Sequence, residues 1–185
     1  NGVETSIPVT VRDLTSKPYA LDSFDSLSNW KGSAARATAT LGLAGYGEPF
    51  REGKSGFKLT YDFTVGESGT KAAYAIANTP VPIVSTPDHI GLWVYSDGNP
   101  NWLRAMIVDG AGTKHTIDFT AEGGMSFTGW KYVKATIPAN LSGPFKFERV
   151  YIVQTDMNKL TKGTVYFDQL QAVYKKDYVP QMYTD

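Results

Sequence analysis

The chain of 185 residues has no cysteine. That excludes disulfides and thiolate metal sites, and it leaves the compartment open. Neither sign of charge prevails, because 18 basic and 18 acidic residues cancel. The basic footprint of a nucleic-acid binder is therefore missing, and no nucleic-acid partner is expected. No run of like charges suggests a tail, and no apolar stretch approaches membrane-spanning length, so membrane insertion is not expected. Histidine is scarce, with only His89 and His115. No G-x-S-x-G elbow, P-loop or dinucleotide fingerprint occurs. Nothing supports a Ser-His-Asp triad, and both histidines are read as structural. Helical periodicity and internal repeats are also missing.

What the chain has is aromatic rings and turn formers: 11 Tyr, 9 Phe and 4 Trp, with 18 Gly and 10 Pro. The rings follow a pattern. In Ile90-Gly-Leu-Trp-Val-Tyr95 the aliphatics take one parity and the large aromatics the other. Trp102-Leu-Arg-Ala-Met-Ile107 repeats this, with Leu103, Ala105 and Ile107 opposite Trp102 and Arg104. So does the stretch from Trp130 to Ile137, with Val133, Ala135 and Ile137 opposite Trp130 and Tyr132. Period two means β-strands with one face buried.

Strands are expected at about 19–25, 34–43, 57–63, 72–77, 90–95, 102–109, 114–119, 130–137, 148–155 and 164–174. Residues 26–30 read as a turn with Trp30 as its anchor. Residues 44–56 read as a glycine-rich loop and 78–89 as a proline-punctuated loop. The Asp97-Gly98 and Asp109-Gly110 pairs are hairpin signals. Short strands at this spacing predict an all-β fold, a β-sandwich jelly roll of two antiparallel sheets. A single domain at 18–174 is expected, with 1–17 a linker or edge strand and 175–185 a tail. The opening Asn1-Gly-Val-Glu-Thr reads like the interior of a longer chain, so other domains of a parent chain are expected partners.

Two constellations stand out. Trp93, Tyr95, Trp102, Arg104, Trp130, Tyr132, Arg149 and Tyr151 share the parity opposite the aliphatics. An aromatic surface on a rigid sheet needs a reason, and sugar is one. Sugar rings carry an apolar C–H face that Trp and Tyr cover, while Arg104 and Asp97 would meet the hydroxyls. Two other arrangements stay open: the aromatics are core, or consecutive strands enter different sheets and one parity makes no single surface. The second constellation is acidic. Asp22 and Asp25 flank Phe24 near the start, and Asp168 lies in the last strand. First and last strands are often neighbours in a jelly roll, and clustered carboxylates suit calcium, with carbonyls of the turn 53–56 as further ligands. An ordinary solvated acid trio is the other reading.

Taken in order, six stretches resemble a bacterial jelly-roll carbohydrate-binding module with a galactose-binding-like sandwich. They are Leu21-Asp-Ser-Phe-Asp25, Gly53-Lys-Ser-Gly-Phe-Lys-Leu59, Ile90-Gly-Leu-Trp-Val-Tyr-Ser-Asp-Gly98, Leu103-Arg-Ala-Met-Ile-Val-Asp109, Gly129-Trp-Lys-Tyr-Val133 and Val165-Tyr-Phe-Asp-Gln-Leu170. The resemblance spans 18–174. It implies a non-catalytic domain that binds polysaccharide and targets a parent secreted enzyme or bacterial surface protein to glycan. It also implies a structural calcium, with Asp22 or Asp25 and Asp168 in matching places. The family often has Glu where Asp25 stands. The alternatives from other classes are a structural or protein-interaction β-domain of a surface protein and a small glycan-active enzyme.

Overall fold

The computed structural model describes Leu14 and residues 17–174. Apart from Leu14 and Lys17, the expected N-terminal segment lies outside the described residues, as does the tail 175–185. Eleven strands and no helix occur among the described residues. In chain order they are β1 (Tyr19–Asp22), β2 (Trp30–Ala35), β3 (Thr38–Leu43), β4 (Phe57–Asp62), β5 (Lys71–Ile83), β6 (His89–Asp97), β7 (Trp102–Val108), β8 (Lys114–Asp118), β9 (Thr128–Ala135), β10 (Phe145–Gln154) and β11 (Lys162–Val173).

The strands form two antiparallel sheets. One has six strands in the order β3-β4-β11-β6-β9, with β1 pairing the far end of β11. The other has five, in the order β2-β5-β10-β7-β8. This is the expected β-sandwich jelly roll. The period-two pattern places its aliphatics as expected. Leu92, Leu103, Ala105, Ile107, Ala135, Val150, Ile152 and Val165 are all fully buried between the sheets. Each alternates with a residue on the outer face of its own sheet.

Three readings are corrected. Trp30 is not a turn anchor but the first residue of β2, 4% exposed and packed inward. The expected strand 34–43 is two strands in different sheets, split at Arg36, which takes a positive φ of 50°. The expected loop from 78 is strand as far as Ile83, in spite of Pro80 and Pro82. The reason is the edge. β2 pairs β5 only up to Ala77, so beyond that point β5 has a neighbour on one side, β10. Proline, which has no N–H, is tolerated where no ladder partner waits for one.

An aromatic wedge joins the sheets at one end. Phe24 stacks on Phe57 with centroids 4.0 Å apart, and Trp30 meets both edge-on at 5.3 and 5.4 Å. Trp30 also approaches Phe147 of β10 at 6.5 Å. Asp22 ties this wedge to the backbone, accepting from the Phe24 N–H at 2.8 Å and from the Trp30 indole N–H at 2.9 Å. Removing the Trp30 ring leaves a cavity in the wedge and strands the Asp22 carboxylate. Trp30→Ala is expected to cost roughly 3–5 kcal/mol in urea unfolding, while the exposed Lys131→Ala stays within about 0.5 kcal/mol of wild type.

Candidate functional site

The structure divides the aromatic set between the two outer faces, so it forms no single surface. Trp93 and Tyr95 on β6 stand beside Tyr132 and Trp130 on β9, all on the six-stranded sheet. Trp102 and Arg104 on β7 and Arg149 and Tyr151 on β10 lie on the five-stranded sheet, across the sandwich. Parity reports the side of a strand and not the sheet the strand joins, which is why the one-surface expectation fails.

On the six-stranded sheet the rings are largely used by the molecule itself. Trp93 meets Tyr132 and Tyr95 meets Trp130 edge-on, both at 5.4 Å, and Tyr95 meets Tyr166 at 5.9 Å. The loop 44–56 reaches over them. Its Arg51 guanidinium lies 3.9 Å from the Trp93 ring centre, and Trp93 is only 5% exposed. Glu48 of the same loop accepts from the Tyr166 hydroxyl at 2.6 Å and pairs with Lys58 at 2.6 Å. The Tyr132 hydroxyl is held by His89 and Gln171, both at 3.1 Å. Asp97 is committed as well. Its Oδ2 accepts from the buried Tyr61 hydroxyl at 2.7 Å and its Oδ1 from the Asn99 N–H. Burial and this carboxylate push the Tyr61 hydroxyl pKa upward.

The outer face of the five-stranded sheet is built differently. One row of ladder partners runs Ser33, Tyr74, Tyr151, Arg104, Asp118 across β2, β5, β10, β7 and β8. Tyr74 and Tyr151 lie 5.2 Å apart with their planes at 37°. They belong to an apolar island with Ala72, Val153, Trp102 and Met106. The Arg104 guanidinium stacks 3.8 Å from the Trp102 ring centre and donates from Nε to Asp118 at 2.7 Å. Trp102 is further fixed by its indole N–H on the Thr120 carbonyl at 3.1 Å. Arg149 lies 5.2 Å from the Tyr74 ring, and Glu148 beside it pairs with Lys114 at 2.7 Å. Apolar plates thus sit beside oriented hydrogen-bonding groups on a rigid sheet. Tyr74, Asp118 and Glu148 were not singled out from sequence. Tyr74 and Asp118 carried the usable signal: they take the outward parity beside the buried Ala73 and Ile117. Glu148 sits in a bulge between Phe147 and Arg149, where parity gives no reading.

The three acids do not converge, and among the described residues no group of three or more His, Cys, Asp and Glu is placed to hold a metal. Both Asp22 oxygens are taken within the aromatic wedge. Asp25 and Asp168 are brought together by one loop. Asp25 Oδ1 accepts from the Lys54 and Ser55 N–H groups at 2.9 and 3.0 Å, and Asp168 Oδ2 from those of Arg51 and Glu52 at 2.6 and 3.0 Å. Gly53 makes this possible: it takes φ of 75°, and a Cβ there would run into the Asp25 carboxylate. Asp168 is fully buried, and its Oδ1 has no partner. An orphaned buried oxygen beside a second carboxylate fits a hard cation.

No protein-family model matches the sequence, and no curated protein matches it. Solved structures do. Carbohydrate-binding modules of the β-sandwich superfamily, described for promiscuous specificity, match 84% of this chain at 16% identity and a TM-score of 0.58. This chain spans 61% of that one. The family 11 carbohydrate-binding module from Clostridium thermocellum, in complex with a β-1,3-1,4-mixed-linked tetrasaccharide, matches 87% of this chain and 98% of its own, at 13% identity and a TM-score of 0.52. A carbohydrate-binding module in complex with β-1,4-galactotriose matches 89% of this chain and all of its own, at 11% identity and a TM-score of 0.50. At such identities the likeness establishes the fold.

Burial, opposed in part by the N–H groups of Arg51 and Glu52, lifts the Asp168 carboxyl from 3.8 to about 6. The folded state then keeps a proton that the unfolded chain releases, so Asp168 costs stability as pH rises through that window when no cation offsets its charge. In chelator, Asp168→Asn is expected to gain on wild type by about 2–3 kcal/mol between pH 4 and pH 7, measured by urea unfolding at each pH. A difference that stays flat with pH would refute the burial account.

Proposed function

We propose that this chain is a non-catalytic carbohydrate-binding module that binds polysaccharide on the outer face of the five-stranded sheet. The carrying observation is the Tyr74–Tyr151–Arg104–Asp118 row with Trp102 at its flank. Tyr and Trp offer flat apolar area at little entropic cost, which suits the C–H face of a sugar ring. Arg104 and Asp118 hold each other in place and keep further donors and acceptors for hydroxyls. The matched solved structures support the reading through their fold. The module would target a parent secreted enzyme or bacterial cell-surface protein to glycan.

Calcium belongs to the same proposal as a structural ion. Asp168 and Asp25 would hold it, with carbonyls of the turn 53–56, and Asp22 would not. The ion would supply the positive charge that Asp168 Oδ1 lacks. It would join the loop 44–56 to β11 and to the segment after β1, away from the five-stranded face.

Affinity electrophoresis in gels containing mixed-linkage β-glucan, β-1,4-galactan, polygalacturonate or alginate tests the binding. Trp102→Ala or Tyr74→Ala is expected to weaken retardation at least tenfold, while Trp93→Ala leaves retardation unchanged and lowers stability. Loss of binding in Trp93→Ala but not in Trp102→Ala would move the site to the other sheet, and no retardation by any glycan would end the glycan reading. For calcium, the melting temperature should rise with the ion and fall in chelator. Mass action gives about 2.7 kcal/mol at a hundredfold excess over Kd. Asp168→Asn should abolish the response and Asp22→Asn should retain it. A wild-type melting curve indifferent to both calcium and chelator would refute the site.

A further inference from the structure

The glycan face carries an uneven charge in a chain whose total is zero. Five cations stand on the outer side of the five-stranded sheet. Lys31 follows the inward Trp30 on β2, Lys146 lies between the buried Phe145 and Phe147 on β10, and Arg104, Lys114 and Arg149 complete the group. Only Asp118 and Glu148 oppose them among the described strands of this face. Asp118 is matched by Arg104 at 2.7 Å, and Glu148 is shared between Lys114 at 2.7 Å and Arg149 at 3.4 Å. That leaves an excess of three positive charges.

The excess is placed where a ligand would lie. Lys31, Ile76, Arg149, Met106 and Thr116 form the ladder row next to the Tyr74–Tyr151 row. Lys31 and Arg149 are therefore two strands apart, about 10 Å. Lys146 lies beyond Arg149 on β10, across Val108 from Lys114. Among the described residues Lys31 and Lys146 form no ion pair, and both are exposed. Arg149 has one contact with an acid, at 3.4 Å. Its guanidinium is held near the Tyr74 ring, so a charged donor is prepositioned beside an apolar plate. A neutral sugar needs the plates and gains nothing from spaced, unneutralised cations. An acidic sugar uses both, because its carboxylate takes the charged donors while its ring covers Tyr74.

Building on the proposed glycan face, we infer that its ligand is an acidic polysaccharide, with carboxylates on Arg149, Lys31 and Lys146 and sugar rings on Tyr74 and Trp102, the half-buried rings that Tyr151 supports from beneath. The test is affinity electrophoresis of the whole chain against polygalacturonate and alginate, with mixed-linkage β-glucan and β-1,4-galactan as neutral glycans and polyacrylate as a charged polymer without sugar. One of the two uronates should retard the protein at least tenfold more strongly than either neutral glycan. The preference should shrink as salt rises, because screening weakens exposed charges. Lys31→Gln with Lys146→Gln should lose most of it, and adding Arg149→Gln should remove the rest, with the two-lysine variant melting as wild type. Retardation by neutral glycans equal to or above that by the uronates would overturn the inference and leave the glycan face standing. Equal retardation by polyacrylate would overturn it as mere ion exchange. An unchanged preference in the two-lysine variant would also overturn it. Failure with every glycan would instead sink the proposed function itself.

Discussion

The wedge of Phe24, Trp30, Phe57 and Phe147 is the contact on which the rest of this structure depends. It draws rings from the segment after β1, from β2, from β4 and from β10, and so from both sheets. Phe24 takes a positive φ of 62° to reach Phe57, a conformation costly for a bulky residue. The Asp22 carboxylate offsets that cost by capping the Phe24 N–H and the Trp30 indole together. Burial of four large rings, with a satisfied polar pivot, sets where the chain goes next. It carries Asp25 outward to the loop at Gly53, where the backbone N–H groups of 54 and 55 meet it.

The two outer faces show how similar residues come to different ends. On the six-stranded sheet a long loop lies across the rings, and its Arg51 and Glu48 occupy the groups that a ligand would need. On the five-stranded sheet Tyr74, Tyr151 and Trp102 pack on one another within the face, and Trp102 is also held by the Thr120 carbonyl after β8. Aromatic content alone therefore does not mark a binding surface. What matters is whether the ring faces and their polar neighbours are already consumed inside the molecule.

The acid cluster has the same character. Composition and order suggested three carboxylates, and packing selects two. Asp22 has both oxygens satisfied within the wedge, while Asp168 is buried with one oxygen orphaned beside Asp25. A group so placed is either a strain in the fold or half of an ion site, and the proposed calcium would resolve it by supplying charge where burial has removed water.

The alternation of Ile90–Tyr95, Trp102–Ile107 and Trp130–Ile137 was sufficient to identify strands and to choose their buried members. Leu92, Leu103, Ile107, Val133 and Ala135 lie in the core as their parity requires. This was legible because parity is a local property, set by the backbone period and by the preference of aliphatics for the interior. The extension of β5 through Pro80 and Pro82 was not legible, since it depends on where β2 stops pairing. Nor was the division of Trp93 and Trp130 from Trp102 and Arg104. The sheet that a strand joins is settled by partners far away in sequence, such as Asp168 opposite Trp93 and Tyr151 opposite Arg104. The sequence by itself determined which side of each strand is apolar. Only the tertiary structure decided which of those sides share a face, because strand pairing is a long-range choice made by the whole core at once.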